Sequence, residues 1–135
     1  MSRRPHVLIV DDEPGTVRVL ASVLEDAGYT VETAANGRVA LEILATAPHD
    51  VVLLDYLMPH LDGCETLSAI RKNRAFAAVR VVMMSGVTES IIRRRCRGGY
   101  DAFLWKPFSL DDLVGKVKGL TRRPDPKTAK KKRSG

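Results

Sequence analysis

The sequence predicts an α/β fold built on a doubly wound, five-stranded parallel sheet with helices on both faces. Short unbroken apolar runs at Val7–Val10, Val51–Leu54, Val81–Met84 and Ala102–Trp105 have the composition of strands buried on both sides. Helical patterns alternate with them, as crossovers between parallel strands require. Each run also stops at a chemically loaded residue, in turn Asp11-Asp12, Asp55, Ser85 and Lys106. Ligand sites in open α/β sheets form beyond the carboxyl ends of the strands, so three carboxylates, a hydroxyl and an ammonium are expected to share one pocket.

After the first strand, Pro14 opens a helix with Val17, Leu20, Ala21 and Leu24 at i, i+3, i+4 and i+7, and Gly28 ends it. Tyr29, Val31 and Thr33 then alternate with Thr30 and Glu32, the mark of a half-covered edge strand. Asn36-Gly37 turns into a second helix that carries Ala40, Ile43, Leu44 and Ala47 on one face and is closed by Pro48. The strand Val51–Asp55 follows, then a third helix over 64–73 presenting Cys64, Leu67 and Ile70. Val79–Ser85 supplies the fourth strand. A shorter helix rich in arginine comes next, and Gly98-Gly99 stops it. Beyond the strand that runs to Trp105, Ser109-Leu-Asp-Asp starts the last helix with a serine cap and acids in its first turn. Leu110, Leu113, Val114 and Val117 form its expected buried stripe.

A chain of 135 residues suits one hydrophobic core, and its apolar fraction of 44% is ordinary. No window approaches the roughly 20 apolar residues of a membrane span. The start, Met1-Ser2-Arg3-Arg4-Pro5, does not lead into a signal peptide, because the apolar run after it is short and ends at two aspartates. A cytoplasmic protein is therefore expected. Cys64 and Cys96 lie at helical positions without metal-ligand spacing and are expected to be buried or half-buried thiols, with neither a disulfide nor a redox role in a reducing compartment. The net charge of +6 is carried by the end of the chain, where seven basic residues and one acid follow Leu120, leaving the rest neutral. With Pro124, Pro126 and the lysine run, residues 122–135 read as a basic disordered tail behind a domain spanning 1–121.

Taken singly, an aspartate at a strand end is most often a turn former or helix cap. Together with their flanking residues these positions say more. Asp55-Tyr-Leu-Met-Pro-His-Leu-Asp-Gly and Phe103-Leu-Trp-Lys106-Pro107-Phe108, at their spacing from Asp11-Asp12-Glu13 and Ser85-Gly86, resemble the receiver domain of two-component response regulators. The resemblance covers residues 5–121 and is to stand-alone receivers of the chemotaxis type. It implies a flavodoxin-like sheet of order 2-1-3-4-5, in agreement with the edge character of the second strand.

It also implies a chemistry. Adjacent carboxylates facing a third repel unless a cation sits among them, and Mg²⁺ takes oxygen ligands, waters and phosphate oxygens. By resemblance, Asp12 and Asp55 ligate Mg²⁺ directly, Asp11 acts largely through a bound water, and Leu57 contributes its backbone carbonyl. Asp55 is then the phosphoacceptor, taking a phosphoryl group from a phosphohistidine on a sensor histidine kinase or histidine phosphotransfer protein. Lys106 pairs with the carboxylate and then with the phosphoryl oxygens, and Ser85 offers its hydroxyl. The Lys106–Pro107 bond is expected to be cis. Ser85 and Phe103 form the switch pair, although Phe103 has no hydroxyl to bond on turning inward. The output surface is the face of the fourth helix, fifth strand and fifth helix, where Arg93, Arg94, Arg95 and Arg97 suit an acidic protein partner.

Three departures from the family pattern stand out. Tyr100 occupies a place usually held by a small residue, and Leu57 and Val87 put apolar side chains beside the path of a hydrolytic water. The expected function is that of a phosphoacceptor signalling module, not a turnover enzyme on a small substrate, with no DNA-binding domain. The alternatives are a receiver-like interaction module that works without phosphorylation and a nucleic-acid binder acting through Lys130–Arg133. An Asp-nucleophile phosphatase of the haloacid dehalogenase type needs a second aspartate where this chain has Leu57.

Overall fold

The computed structural model describes residues 4–97 and 99–121, so the expected tail at 122–135 lies outside the described residues. Five strands alternate with five helices: β1 (His6–Val10), α1 (Pro14–Asp26), β2 (Thr30–Ala34), α2 (Gly37–Thr46), β3 (Val51–Asp55), α3 (Gly63–Lys72), β4 (Arg80–Ser85), α4 (Glu89–Cys96), β5 (Ala102–Trp105) and α5 (Leu110–Thr121). The strands form one sheet in the order β2-β1-β3-β4-β5, with every neighbouring pair parallel. None of the helices among the described residues is long and apolar enough to cross a membrane.

Strand alternation divides the core into two layers. Leu8, Val10, Val52, Leu54, Val81 and Met83 pack with residues of α2, α3 and α4, whereas Val7, Ile9, Val51, Leu53, Val82 and Met84 pack with those of α1 and α5. Register carries this alternation across the sheet, since Val10 pairs with Leu54, Leu54 with Met83 and Met83 with Phe103. Asp11 and Asp55 follow directly on this row, so both stand where the sheet ends.

Local signals explain most boundaries. The Asn36 side chain caps α2 by accepting from Val39 N, and Asp62 with Glu65 forms a reciprocal capping box at α3. Ser109 Oγ accepts from Asp112 N at the start of α5. Gly63 is required by packing: a Cβ there would come within 2.7 Å of the Asp55 carbonyl oxygen and 2.8 Å of Tyr56 Cα. Both neighbours are backbone and cannot yield cheaply. Gly63→Ala is accordingly expected to cost about 2 kcal/mol in urea denaturation. An unchanged midpoint would show that the loop after β3 relaxes freely.

The structure corrects several expectations. Leu110 is exposed, because α5 turns Leu113 and Val117 into the core and Leu110 precedes that stripe in the first turn. Thr33 is exposed and Ala34 buried: β2 stays paired with β1 to its end, Thr33 with Ile9 and Ala34 with Val10, and Ala34 joins the layer packed by Ala40 and Leu44 of α2. Helix α4 stops at Arg97, which takes the left-handed conformation with φ of 51°, one residue before the glycine pair. Cys64 and Cys96 are half-buried as expected, but their sulfurs are joined in a disulfide between α3 and α4. The two cysteines face each other across a helix pair, a placement that their separation of 32 residues does not announce.

Candidate phosphoacceptor site

The ends of β1, β3 and β5 converge on one acidic pocket. Carboxylate oxygens of Asp11, Asp12 and Asp55 lie within 4.8 Å of one another. Asp11 and Asp55 are 3% and 6% exposed, while Asp12 faces solvent. Lys106 reaches in from the end of β5, its Nζ donating to Asp55 Oδ1 at 2.8 Å and standing 3.7 Å from Asp11 Oδ2. The second distance is an ion-pair contact too long for a hydrogen bond. Asp11 Oδ1 accepts from Glu13 N at 3.0 Å, but among the described residues no hydrogen-bond donor reaches its buried Oδ2.

These distances define the electrostatics. Burial pushes the Asp55 carboxyl above its ordinary value; the Lys106 hydrogen bond pulls it back, and the Asp11 and Asp12 charges push it up further. Burial also disfavours the Lys106 ammonium, yet the hydrogen bond and charge of Asp55, with Asp11 behind it, outweigh burial and hold it above the usual lysine value. One ammonium thus faces three carboxylates. A cluster of hard oxygen atoms with an excess of negative charge and an orphaned buried oxygen fits a small divalent cation, and the triad suits Mg²⁺.

Ser85, 2% exposed, ends β4 and accepts through Oγ from Val87 N at 2.9 Å, which holds the start of the β4–α4 loop. Phe103 is half-buried against the layer under α3 and α4. The Leu57 side chain is 67% exposed, and Val87 is half-buried. The Lys106–Pro107 peptide is cis. Beside the carboxylates an open groove is lined by Asp11, Asp12, Pro14, Val17, Arg18 and Thr33.

Several contacts around the site had no signal in the sequence reading. Tyr100, which looked out of place, stacks at a tilt near Phe103, with ring centroids 6.1 Å apart, and donates its hydroxyl to Glu89 at the start of α4. The Arg95 guanidinium lies 5.8 Å from the centroid of the buried Tyr56 ring. Arg71 donates to the carbonyls of Ala77, Val79 and Gly99 and to Asp101, whose carboxylate also accepts from Val81 N. That network ties α3 to both strands on the Lys106 side of the sheet.

Known proteins resemble this chain in sequence and fold. Residues 7–118 match the family model of the response regulator receiver domain. The chain is 37% identical over 119 residues to the transcriptional regulatory protein TcrA of Mycobacterium tuberculosis, covering 87% of this chain and 46% of that protein. It is 30% identical over 131 residues to the DNA-binding dual master transcriptional regulator RpaA of Synechocystis, covering 93% and 54%. The chain thus spans about half the length of the curated relatives it matches. Among solved structures, the chemotaxis protein CheY4 of Vibrio cholerae superposes with a TM-score of 0.83 at 31% identity, over 87% of this chain and 99% of that one. The response regulator TrrA of Thermotoga maritima, solved in complex with Mg²⁺ and BeF, gives 0.77 at 31% identity over 86% and 98%. With its five-stranded sheet, its acidic triad and its strand-end lysine, the chain belongs to the response regulator receiver domain family.

Proposed function

We propose that this receiver accepts a phosphoryl group on Asp55 from a phosphohistidine on a sensor histidine kinase or histidine phosphotransfer protein, and that the modification changes its affinity for a downstream protein. The observation that carries the reading is the 2.8 Å contact of Lys106 Nζ with Asp55 Oδ1 at the centre of the three-carboxylate cluster. A carboxylate with so much negative charge around it needs cationic help to act as nucleophile on a phosphoryl group. Asp12 and Asp55 would hold Mg²⁺ directly, Asp11 largely through a water, and Leu57 through its carbonyl. When bound, Mg²⁺ neutralises charge on the oxygens in transfer.

The chain's own groups do the rest. An Asp55 oxygen attacks phosphorus as the donor's P–N bond breaks and its electron pair returns to the imidazole. Lys106 then exchanges its carboxylate partner for a phosphoryl oxygen. Ser85 can donate its hydroxyl proton to another, since accepting from Val87 N occupies only a lone pair of Oγ. Phe103 is the residue placed to turn inward behind it, and the face of α4, β5 and α5 is the output surface. Its charges there, Arg93, Arg94 and Arg95, are exposed and suit an acidic partner. The receiver unit is assigned to residues 1–121. Phosphohistidine donors of this class act in the cytoplasm, which is the proposed location.

The test is labelling by a small acyl-phosphate donor with Mg²⁺, read by intact mass. A single added phosphoryl group that a chelator prevents is the expected result. Labelling indifferent to the chelator, or none with donor and metal in excess, would overturn the proposal. The lifetime of the product gives a further expectation. Hydrolysis needs a water held in line behind phosphorus, and neither Leu57 nor Val87 can orient one. Leu57→Asn is therefore expected to lose phosphate about fivefold faster than the unmodified chain, because the new amide can bond the attacking water. Equal or slower decay would show that this side chain does not set the lifetime.

A further inference from the structure

Away from the acidic pocket, α3 and α4 present the chain's two cysteines to each other, with Cα atoms 4.8 Å apart. We propose that Cys64 and Cys96 are a redox modification site, a dithiol oxidised by low-molecular-weight disulfides, whose closure pins the arginine-bearing helix α4 to α3. The inference goes beyond the phosphoacceptor reading and does not depend on it.

Geometry and surroundings support it together. The Cα separation lies in the range that a disulfide spans without moving the backbone. Both residues are half-buried at the margin of the core layer under α3 and α4, not sealed within it. Cys96 is the last residue of α4 and lies in sequence between Arg95 and Arg97, so the cross-link falls on the arginine-bearing segment itself. A metal centre is not the explanation. Among the described residues, the only group of three or more potential metal-ligating side chains is Asp11, Asp12 and Asp55.

The site has leverage because α4 is weakly held. It is eight residues long and buries only Ile92. Its other ties are light: Tyr100 donates to Glu89 at its first turn, and Arg95 lies over the Tyr56 ring. A covalent bond at its last residue adds a constraint that these contacts do not match, and elements with few buried apolar contacts are those that open locally.

The chemistry balances with a named oxidant. One cysteine thiolate attacks a sulfur of oxidised glutathione, its S–S bond breaks, and one glutathione thiolate leaves. The second cysteine thiolate then attacks the protein sulfur of that mixed disulfide and expels the other glutathione. The protein gives up two electrons and two protons, and one glutathione disulfide becomes two thiols.

The full chain is incubated in oxidised or reduced glutathione without any phosphodonor. Free thiols are then alkylated, and hydrogen exchange is followed by mass spectrometry. In the oxidised sample the expected product is an unalkylated monomer containing a peptide that links Cys64 to Cys96. Amides of α4 should exchange about tenfold more slowly there than in the reduced sample. In Cys96→Ser, α4 should exchange alike in both buffers. Two alkylated cysteines in the oxidising buffer, a linkage only between chains, or α4 exchange that ignores the redox state would each overturn the proposal. A failure of phosphoryl transfer to Asp55 would leave these readouts untouched.

Discussion

Asp55→Asn is expected to abolish phosphoryl labelling by an acyl-phosphate donor, leaving no added mass under conditions that label the unmodified chain to completion. The amide keeps the shape and the contact with Lys106 but removes the nucleophilic oxygen, and among the described residues no other carboxylate combines proximity to Lys106 Nζ at 2.8 Å with burial at a strand end. Asp11, at 3.7 Å from the same nitrogen, is the nearest rival. Label that persists on Asp55→Asn and maps to Asp11 would transfer the role to Asp11. The same substitution should stabilise the metal-free protein near neutral pH, by about 1 kcal/mol or ~5 °C in melting temperature for a domain of this size. Burial raises the Asp55 pKa, so across the window between its unfolded and folded values the native state binds more protons than the unfolded state. Stability of the unmodified chain in chelator should therefore fall as pH rises through that window, and the Asn variant should lose this slope. A slope that is unchanged in Asp55→Asn would locate the titration elsewhere.

The second large effect is on metal affinity. Asp12→Ala is expected to weaken Mg²⁺ binding roughly thirtyfold, a net loss of about 2 kcal/mol once water replaces the lost carboxylate. Asp12 is the exposed member of the triad and nothing in the core rests on it, so the fold should survive. Its removal also relieves repulsion against Asp11 and Asp55, and the metal-free variant should melt no lower than the parent. Titration by fluorescence of Trp105 gives the readout, since that indole adjoins Lys106 in sequence and is 60% exposed. Asp111→Ala, at the exposed start of α5, is the matching control for loss of charge and should leave affinity unchanged. Equal affinity in Asp12→Ala and Asp111→Ala would remove Asp12 from the site.

Much of this architecture is legible in the sequence because a doubly covered parallel sheet writes itself as unbroken apolar runs, and the runs end where the chemistry begins. Val51–Leu54 followed by Asp55 is the plainest case, with all five residues of β3 buried. The order of strands is different. Nothing in the residues of β1 says that it lies between β2 and β3; the family resemblance supplied that. Helix faces were less certain than strands, as Leu110 shows, since apolar spacing alone does not say whether the first turn reaches the core. What the sequence hides is contact between distant segments. The Arg71–Asp101 pair bridges 30 residues, Tyr100 finds Glu89 around the end of α4, and Cys64 meets Cys96 across two helices. Each depends on how two elements dock, and no local pattern encodes docking.

The slight anchorage of α4 has a consequence for how such a chain can change over generations. A helix that gives the interior a single side chain, Ile92, imposes little on the rest of its surface. Substitutions at Ser90, Ile91 and Arg94, all exposed, should alter stability by no more than about 0.5 kcal/mol each. Recognition can therefore be rewritten there one residue at a time while the sheet and its acidic pocket stay as they are. In a fold where all five residues of β3 are buried, the freedom to acquire a new partner is concentrated in a two-turn segment beside the site.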